Sequence, residues 1–226
     1  IGTSLDHSQT SNHSQTNLKP LSNLSHHPQT NASFSNFFGN QAGYQATNAY
    51  GSNFLGFESG WAATNAAFSN FIGRQAGDSA TDAVNSNFFG QYAGYGASNA
   101  SYSNIFGFRA GRTFTGNNIG SNNIIIGTVV SLPNGTANAI NIGGVLFGSG
   151  TYATTTGDPS ITAVTSGKIG IAVINPTYTL QVGNSSVSGI VSRFENSTGT
   201  CDINPTTTTL SCSSDINLKK NITTIN

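Results

Sequence analysis

Apolar positions in this chain recur at a fixed interval, in neither helical nor simple alternating runs. From Ser35 to Ile119 a 17-residue phrase is written five times: Ser-Asn-Phe-φ-Gly-x-x-Ala-Gly-x-x-Ala-Thr-Asn-Ala-x-x, with φ a large apolar residue. Its opening pair falls at Ser35-Asn36, Ser52-Asn53, Ser69-Asn70, Ser86-Asn87 and Ser103-Asn104, without insertion. Unvarying spacing of this kind is the mark of a stacked repeat.

The apolar pair is Phe37-Phe38, Phe54-Leu55, Phe71-Ile72, Phe88-Phe89 and Ile105-Phe106, and a glycine follows each. A second glycine column runs Gly43, Gly60, Gly77, Gly94, Gly111. Two glycines per phrase cost a helix about 1 kcal/mol each against alanine, and no 3.6-residue stripe is present. The phrase predicts a coil of two short strands closed by glycine bends, so the fold class is all-β, a parallel β-solenoid or β-roll. Five coils stacked at about 4.8 Å make a rod roughly 25 Å long. Like residues then lie above one another, and Asn36, Asn53, Asn70, Asn87 and Asn104 become an amide ladder.

Adjacent residues on a strand point to opposite faces. One column of each apolar pair therefore lines the coil, while the other forms an outer stripe that a lone soluble chain would rarely expose. Packing between coils of different chains accounts for that stripe. The alternative is a two-layer interior that takes in both columns.

Residues 1–29 are a polar, low-complexity arm that holds all four histidines, His7, His13, His26 and His27. No Cys or carboxylate stands at ligand spacing from them, so they read as a solvated tail, or as an arm along a neighbouring subunit, with no metal site. The repeat region occupies 30–119, opening on the half-phrase Thr30-Asn31-Ala32, and 120–150 reads as degenerate, capping repeats. Residues 151–213 carry brief alternating runs between breakers, Lys168 to Val173, Tyr178 to Val182 and Ile190 to Glu195, a second β region. There Cys201 and Cys212 read as a disulfide worth roughly 3 kcal/mol in an extracellular protein, or else as two reduced thiols.

Composition narrows the function. Only 7% of the 226 residues are charged and the formal net charge is zero, which points away from nucleic acid and membrane surfaces as partners. Apolar runs such as Val145 to Phe147 are far too short to insert in a bilayer. The chain begins at Ile1 with no basic and apolar leader before the repeats, so a secretion signal is expected to have been removed or to lie outside this stretch. With 14 Phe and 7 Tyr the chain has surface to bury, unlike a disordered segment.

The last stretch, Ser213-Ser214-Asp215-Ile216-Asn217-Leu218-Lys219-Lys220-Asn221-Ile222, resembles the opening of the self-cleaving intramolecular chaperone domain of phage tail spikes and tail fibres, of the endosialidase type. Its Ser-Asp-x-x-x-Lys motif implies Ser214 as nucleophile and Lys219 as base of a single self-cleavage between Ser213 and Ser214. Residues 214–226 would then be the start of that domain, a truncated piece. Asn217 stands where a basic residue is common in the family. Upstream, Gly167-Lys168-Ile169-Gly170-Ile171, Pro176 and Leu180-Gln181-Val182 look like the linker that precedes this chaperone. The 17-residue phrase is similar in style to the β-roll heads of trimeric autotransporter adhesins, whose repeat is usually shorter.

These features lead to a structural fibre or adhesin segment of a virion tail or cell-surface appendage, extracellular and homotrimeric or of higher order. It would need no cofactor and would contact a surface glycan through aromatics such as Tyr44, Trp61 and Tyr95. An open filament subunit is one alternative. A glycan-cleaving tail spike is another, but it would need paired carboxylates; Asp78 and Asp82 share one repeat while other repeats offer them no partner. The rank Thr47, Thr64, Thr81, Ser98 and Thr115 suggests ice binding less well than hydroxyls that satisfy bend backbone. Glycosylation sequons stand at Asn12, Asn23, Asn31, Asn99, Asn134, Asn184, Asn196 and Asn221.

Overall fold

The computed structural model describes residues 31–113, 118–150, 166–183, 188–196, 199–207 and 209–212. The described residues are all-β. The apolar pairs form three-residue strands: β1 (Asn36–Phe38), β2 (Asn53–Leu55), β3 (Asn70–Ile72), β4 (Asn87–Phe89) and β5 (Asn104–Phe106). They stack in parallel with equivalent residues paired, Asn36 on Asn53 and so on to Asn104. The parallel stack continues through β6 (Ile124–Ile126) and β7 (Ala139–Ile142), giving a solenoid of about six coils.

The first member of each apolar pair lines the interior. Phe37, Phe54, Phe71 and Phe88 form one column of parallel rings, 4.7–4.8 Å between centroids, continued by Ile105 and Ile125. Alanines close the other wall, among them Ala46, Ala63, Ala80 and Ala97, all fully buried. One aromatic ring against small side chains gives a coil too thin for a second apolar layer. The two-layer interior is therefore ruled out: Phe38, Leu55, Ile72, Phe89 and Phe106 lie on the outer face.

Two strands per phrase was one too many. The Thr-Asn-Ala segment contributes a single parallel bridge per coil, Thr47 to Thr64 to Thr81 to Ser98. Its asparagine explains why, since Asn48, Asn65, Asp82 and Asn99 adopt φ of 47–52°, which ends extension. Asn and Asp tolerate this left-handed region better than most residues.

The N–H groups of the bends point alternately to the two neighbouring coils. Gln75, Ser79, Asp82 and Asn85 all have positive φ and donate to the coil behind, to the carbonyls of Phe57, Trp61, Thr64 and Ala67. Between them, Gly77 and Thr81 donate to the coil ahead, to Ala93 and Ala97. Alternating peptides thus turn bend backbone into bonds along the rod, and the conformational cost of about 1 kcal/mol or more per left-handed residue is offset by satisfied donors.

Three side-chain ladders reinforce the stack. The expected amide ladder forms, each Nδ2 donating to the Oδ1 one coil on at 2.8–2.9 Å from Asn36 through Asn104. A second, unanticipated one runs from Asn31 to Asn48 to Asn65 to Asp82. The serine column forms the third: Ser69 Oγ donates to the Ala83 carbonyl and accepts the N–H of Ser86, and the same pattern repeats at Ser52 and Ser86.

After β5 the period changes. Asn104 pairs with Ile124, 20 residues on, and Ile124 with Ile140, 16 on. In consequence Ser98 bridges to Asn118 where the fixed period would place Thr115, which lies outside the described residues. The interior column then turns polar at Asn141, which donates to the Ser131 carbonyl and accepts from the Gly144 N–H. Gly143, Gly144 and Val145 form a three-residue turn, with positive φ at both glycines, into the antiparallel β8 (Leu146–Ser149). Next come β9 (Lys168–Ile171), antiparallel to β8, and β10 (Leu180–Val182), parallel to β9. These complete one ten-stranded sheet.

A separate three-stranded antiparallel sheet holds β11 (Ser192–Asn196), β12 (Gly199–Asn204) and β13 (Thr209–Cys212). Arg193 grips Asp202 across it with two bonds of 2.7 and 2.9 Å, and these hold the Asp202 carboxyl below its ordinary range.

Candidate functional site: the outer sheet face and the bend face

Register carries the outer apolar column across the whole sheet. From Phe38, Leu55, Ile72, Phe89 and Phe106 it passes to Ile126 and Ile142, then Leu146, Ile171 and Val182. All ten strands contribute an apolar residue, and Phe89 and Phe106 stack at 5.1 Å. Phe38 is 61% exposed, and Ile126, Ile142, Leu146 and Ile171 are 37–40% exposed.

The row beside it changes character. Over β1–β5 it is the asparagine ladder; from β6 onward it is Ile124, Ile140, Gly148, Ile169 and Leu180. The outer face thus grades from half amide to wholly apolar. There a groove of about 360 Å³ opens among Ile140, Ile142, Leu146, Lys168 and Ile169.

A second face is made by the Gly-x-x-Ala-Gly-x-x bends, where the constant frame carries varied side chains. Tyr44 and Trp61, one coil apart, stack at 5.9 Å with planes 4° apart. Tyr95 packs edge-on to Tyr92 at 6.0 Å. The three aromatics expected to meet a glycan do therefore lie on one face. Missed from the sequence were Tyr92 and the guanidiniums of Arg74, Arg109 and Arg112, which gather over its ring at 5.0–5.7 Å. Equal positions in neighbouring phrases were the available signal.

Asp78 and Asp82 are not a pair. Asp82 accepts from Asn65 in the second amide ladder at 2.7 Å, whereas Asp78 is buried in the bend and accepts from Ser79 and Gln75. The carboxylate whose charge reaches Asp78 is Glu58, of the preceding coil.

Burial pushes the Asp78 carboxyl up, against the pull of the Ser79 and Gln75 bonds and with a further push from Glu58. Its folded value exceeds the unfolded one, so its contribution is most favourable below the unfolded carboxylate range. Stability is then lost as pH rises through the raised value. Asp78→Asn is expected to match the parent melting temperature at pH 3 and exceed it at pH 7. Equal melting temperatures at both values would contradict this.

Across β12 and β13, Cys201 stands directly opposite Cys212 in the strand register. Of the sequons, Asn31 commits its Nδ2 to the ladder and Asn134 is exposed, its Oδ1 accepting from the Asn118 N–H. Asn99 is exposed beside the bridge residue Ser98, and Asn196 ends β11. Asn12, Asn23, Asn184 and Asn221 lie outside the described residues, as do the four histidines, Ser214 and Lys219. Among the described residues no group of three metal-ligating side chains is gathered, and no helix is long and apolar enough to cross a membrane. No protein-family model matches the chain, and no curated protein or solved structure matches it.

Proposed function

We propose that this chain is a segment of an extracellular structural fibre or adhesin, on a virion tail or a cell-surface appendage, whose copies associate side by side as a homotrimer or higher assembly. The observation that carries this reading is the apolar row across all ten strands of the outer face. The row runs across the whole ten-stranded sheet, and a continuous exposed apolar stripe of that kind marks an interaction surface. A second copy is the best-matched partner. It alone repeats the same side chains at the same coil spacing, and the row itself carries no charge for another partner to complement.

Around a threefold axis, parallel copies would bring three rows together coil on coil. The resemblance at residues 213–222 supports a chaperone that sets this register and then cuts itself off, through Ser214 and Lys219. The Cys201–Cys212 register supports a disulfide closing the stem, in keeping with an extracellular setting. Aromatics on the bend face, Tyr44, Trp61 and Tyr95, would meet a surface glycan.

The double variant Ile126→Asp/Ile142→Asp tests the association. It is expected to be monomeric at concentrations where the parent associates, with the strand signal in circular dichroism retained. Association unchanged by two charges in the row would sink the proposal. Glycan cleavage is the rival reading, since Glu58 and Asp78 are the carboxylates nearest in chemistry to an acid pair; reducing ends released from a bound polysaccharide would favour it. Burial of Asp78 argues against access to substrate.

A further inference from the structure

The bend face carries an unusual concentration of the chain's cations. Of the eight Lys and Arg residues, Arg74, Arg109 and Arg112 converge on the single ring of Tyr92, at 5.5, 5.7 and 5.0 Å. Arg74 also lies over Phe57, Arg109 over Phe108, and Arg112 over Tyr95. The three come from different bends or different ends of one bend, brought together by stacking of neighbouring coils.

Each cation gains from the ring, but three like charges around one ring repel one another. Among the described residues the ion pair present is Arg193 with Asp202, so Arg74 and Arg109 have no described carboxylate at ion-pair distance. Both are exposed. An anion seated among them would turn the repulsion into attraction, and planar guanidinium forks suit carboxylate and sulfate groups.

We infer that the face centred on Tyr92 binds an acidic polysaccharide, one bearing uronate or sulfate groups. This deepens the glycan half of the function proposed above and rests on it. The aromatics extend the site along the rod: Phe57 and Phe108 are exposed on either side of Arg74, and the Tyr44–Trp61 stack lies beyond. Their ring faces suit the apolar face of a sugar ring. A nucleic acid fits less well. The strip changes sign towards the half-buried Glu58, and a strand with phosphate at every unit would have to cross that acid, whereas a glycan can place neutral units there.

The test uses the full chain in its native assembly, with heparin, dextran and single-stranded DNA as immobilised probes. Heparin is expected to retain the chain in a salt-sensitive manner. The triple variant Arg74→Gln/Arg109→Gln/Arg112→Gln is expected to lose at least tenfold in affinity, with its melting temperature close to the parent's. Lys19→Gln, a single charge lost from the polar arm, is expected to bind as the parent does. Retention on dextran that ignores the arginine changes would overturn the acidic specificity and leave a glycan-binding fibre. Retention on none of the glycans would overturn both, and preference for DNA over heparin would overturn the choice of polysaccharide.

Discussion

Gly73→Ala is expected to prevent the solenoid from folding as a cooperative unit, a loss of more than about 4 kcal/mol. Gly73 follows β3 with φ of +132°, a conformation open in practice to glycine alone. A Cβ built there would lie 2.7 Å from the carbonyl carbon and oxygen of Gly90 in the next coil. Those atoms are backbone, held by the strand stack on both sides, so no side chain can swing away to make room. The same contact recurs at Gly56 and Gly90, so the glycine column fixes how closely successive coils approach. Gly135, with φ of +74° and open space around it, is the matched control. Its alanine variant should cost only about 1 to 2 kcal/mol, the penalty of a left-handed residue without a clash. Thermal unfolding followed by circular dichroism distinguishes them, and similar melting temperatures for the two variants would refute the close-approach argument.

Neighbouring residues on β3 should respond in opposite ways. Phe71→Ala removes a fully buried ring stacked between Phe54 and Phe88 at 4.7 Å on each side. The coil cannot collapse onto the gap, because its width is set by the rings above and below. A loss of about 3 to 5 kcal/mol is expected, read as a lower melting temperature at any protein concentration. Ile72→Ala, one residue on, faces outward and should cost the single chain less than about 1 kcal/mol. Its effect should appear in association, as a melting temperature that depends on concentration more steeply than the parent's. If Ile72→Ala destabilised the chain as much as Phe71→Ala in dilute solution, the assignment of inside and outside would be wrong.

The coil was legible because its period never varies from Ser35 to Asn104, and the amide ladder followed from stacking alone. Which of Phe71 and Ile72 lay inside was not legible, since both are large and apolar; the alanines opposite and the ring stack decide it. The left-handed bends at Gln75 and Ser79 were equally hidden, because neither residue type favours positive φ. They take it up because alternate N–H groups must reach the coils on either side. In the second ladder, Asn65 and Asp82 looked like turn residues, and only the stacking of left-handed bends turns their side chains along the rod. The displacement of Thr115 by Asn118 arises from a longer coil after β5, where the phrase had already begun to decay. The cluster on Tyr92 escaped notice because Arg74, Tyr92 and Arg109 occupy variable columns of three different phrases, and a repeat draws attention to what stays constant.

A rod held by ladders places its variable side chains on a constant frame. Changes at positions such as 74, 92 or 109 leave the ring column, the glycine contacts and the amide ladders untouched, so the bend face can alter its ligand chemistry at little cost to folding. The outer row has no such freedom if copies meet there, because every coil must present an apolar residue at the same height. On the function proposed above, the two faces would divide the work of assembly and recognition.

The most direct measurement is the mass of the native particle by light scattering, set against the mass of the denatured chain over a range of dilutions. A native mass three times that of the chain, or a larger closed multiple, is the predicted result. A monomer at all concentrations would contradict the central claim, for it would leave the apolar row of ten strands standing in water with nothing to cover it.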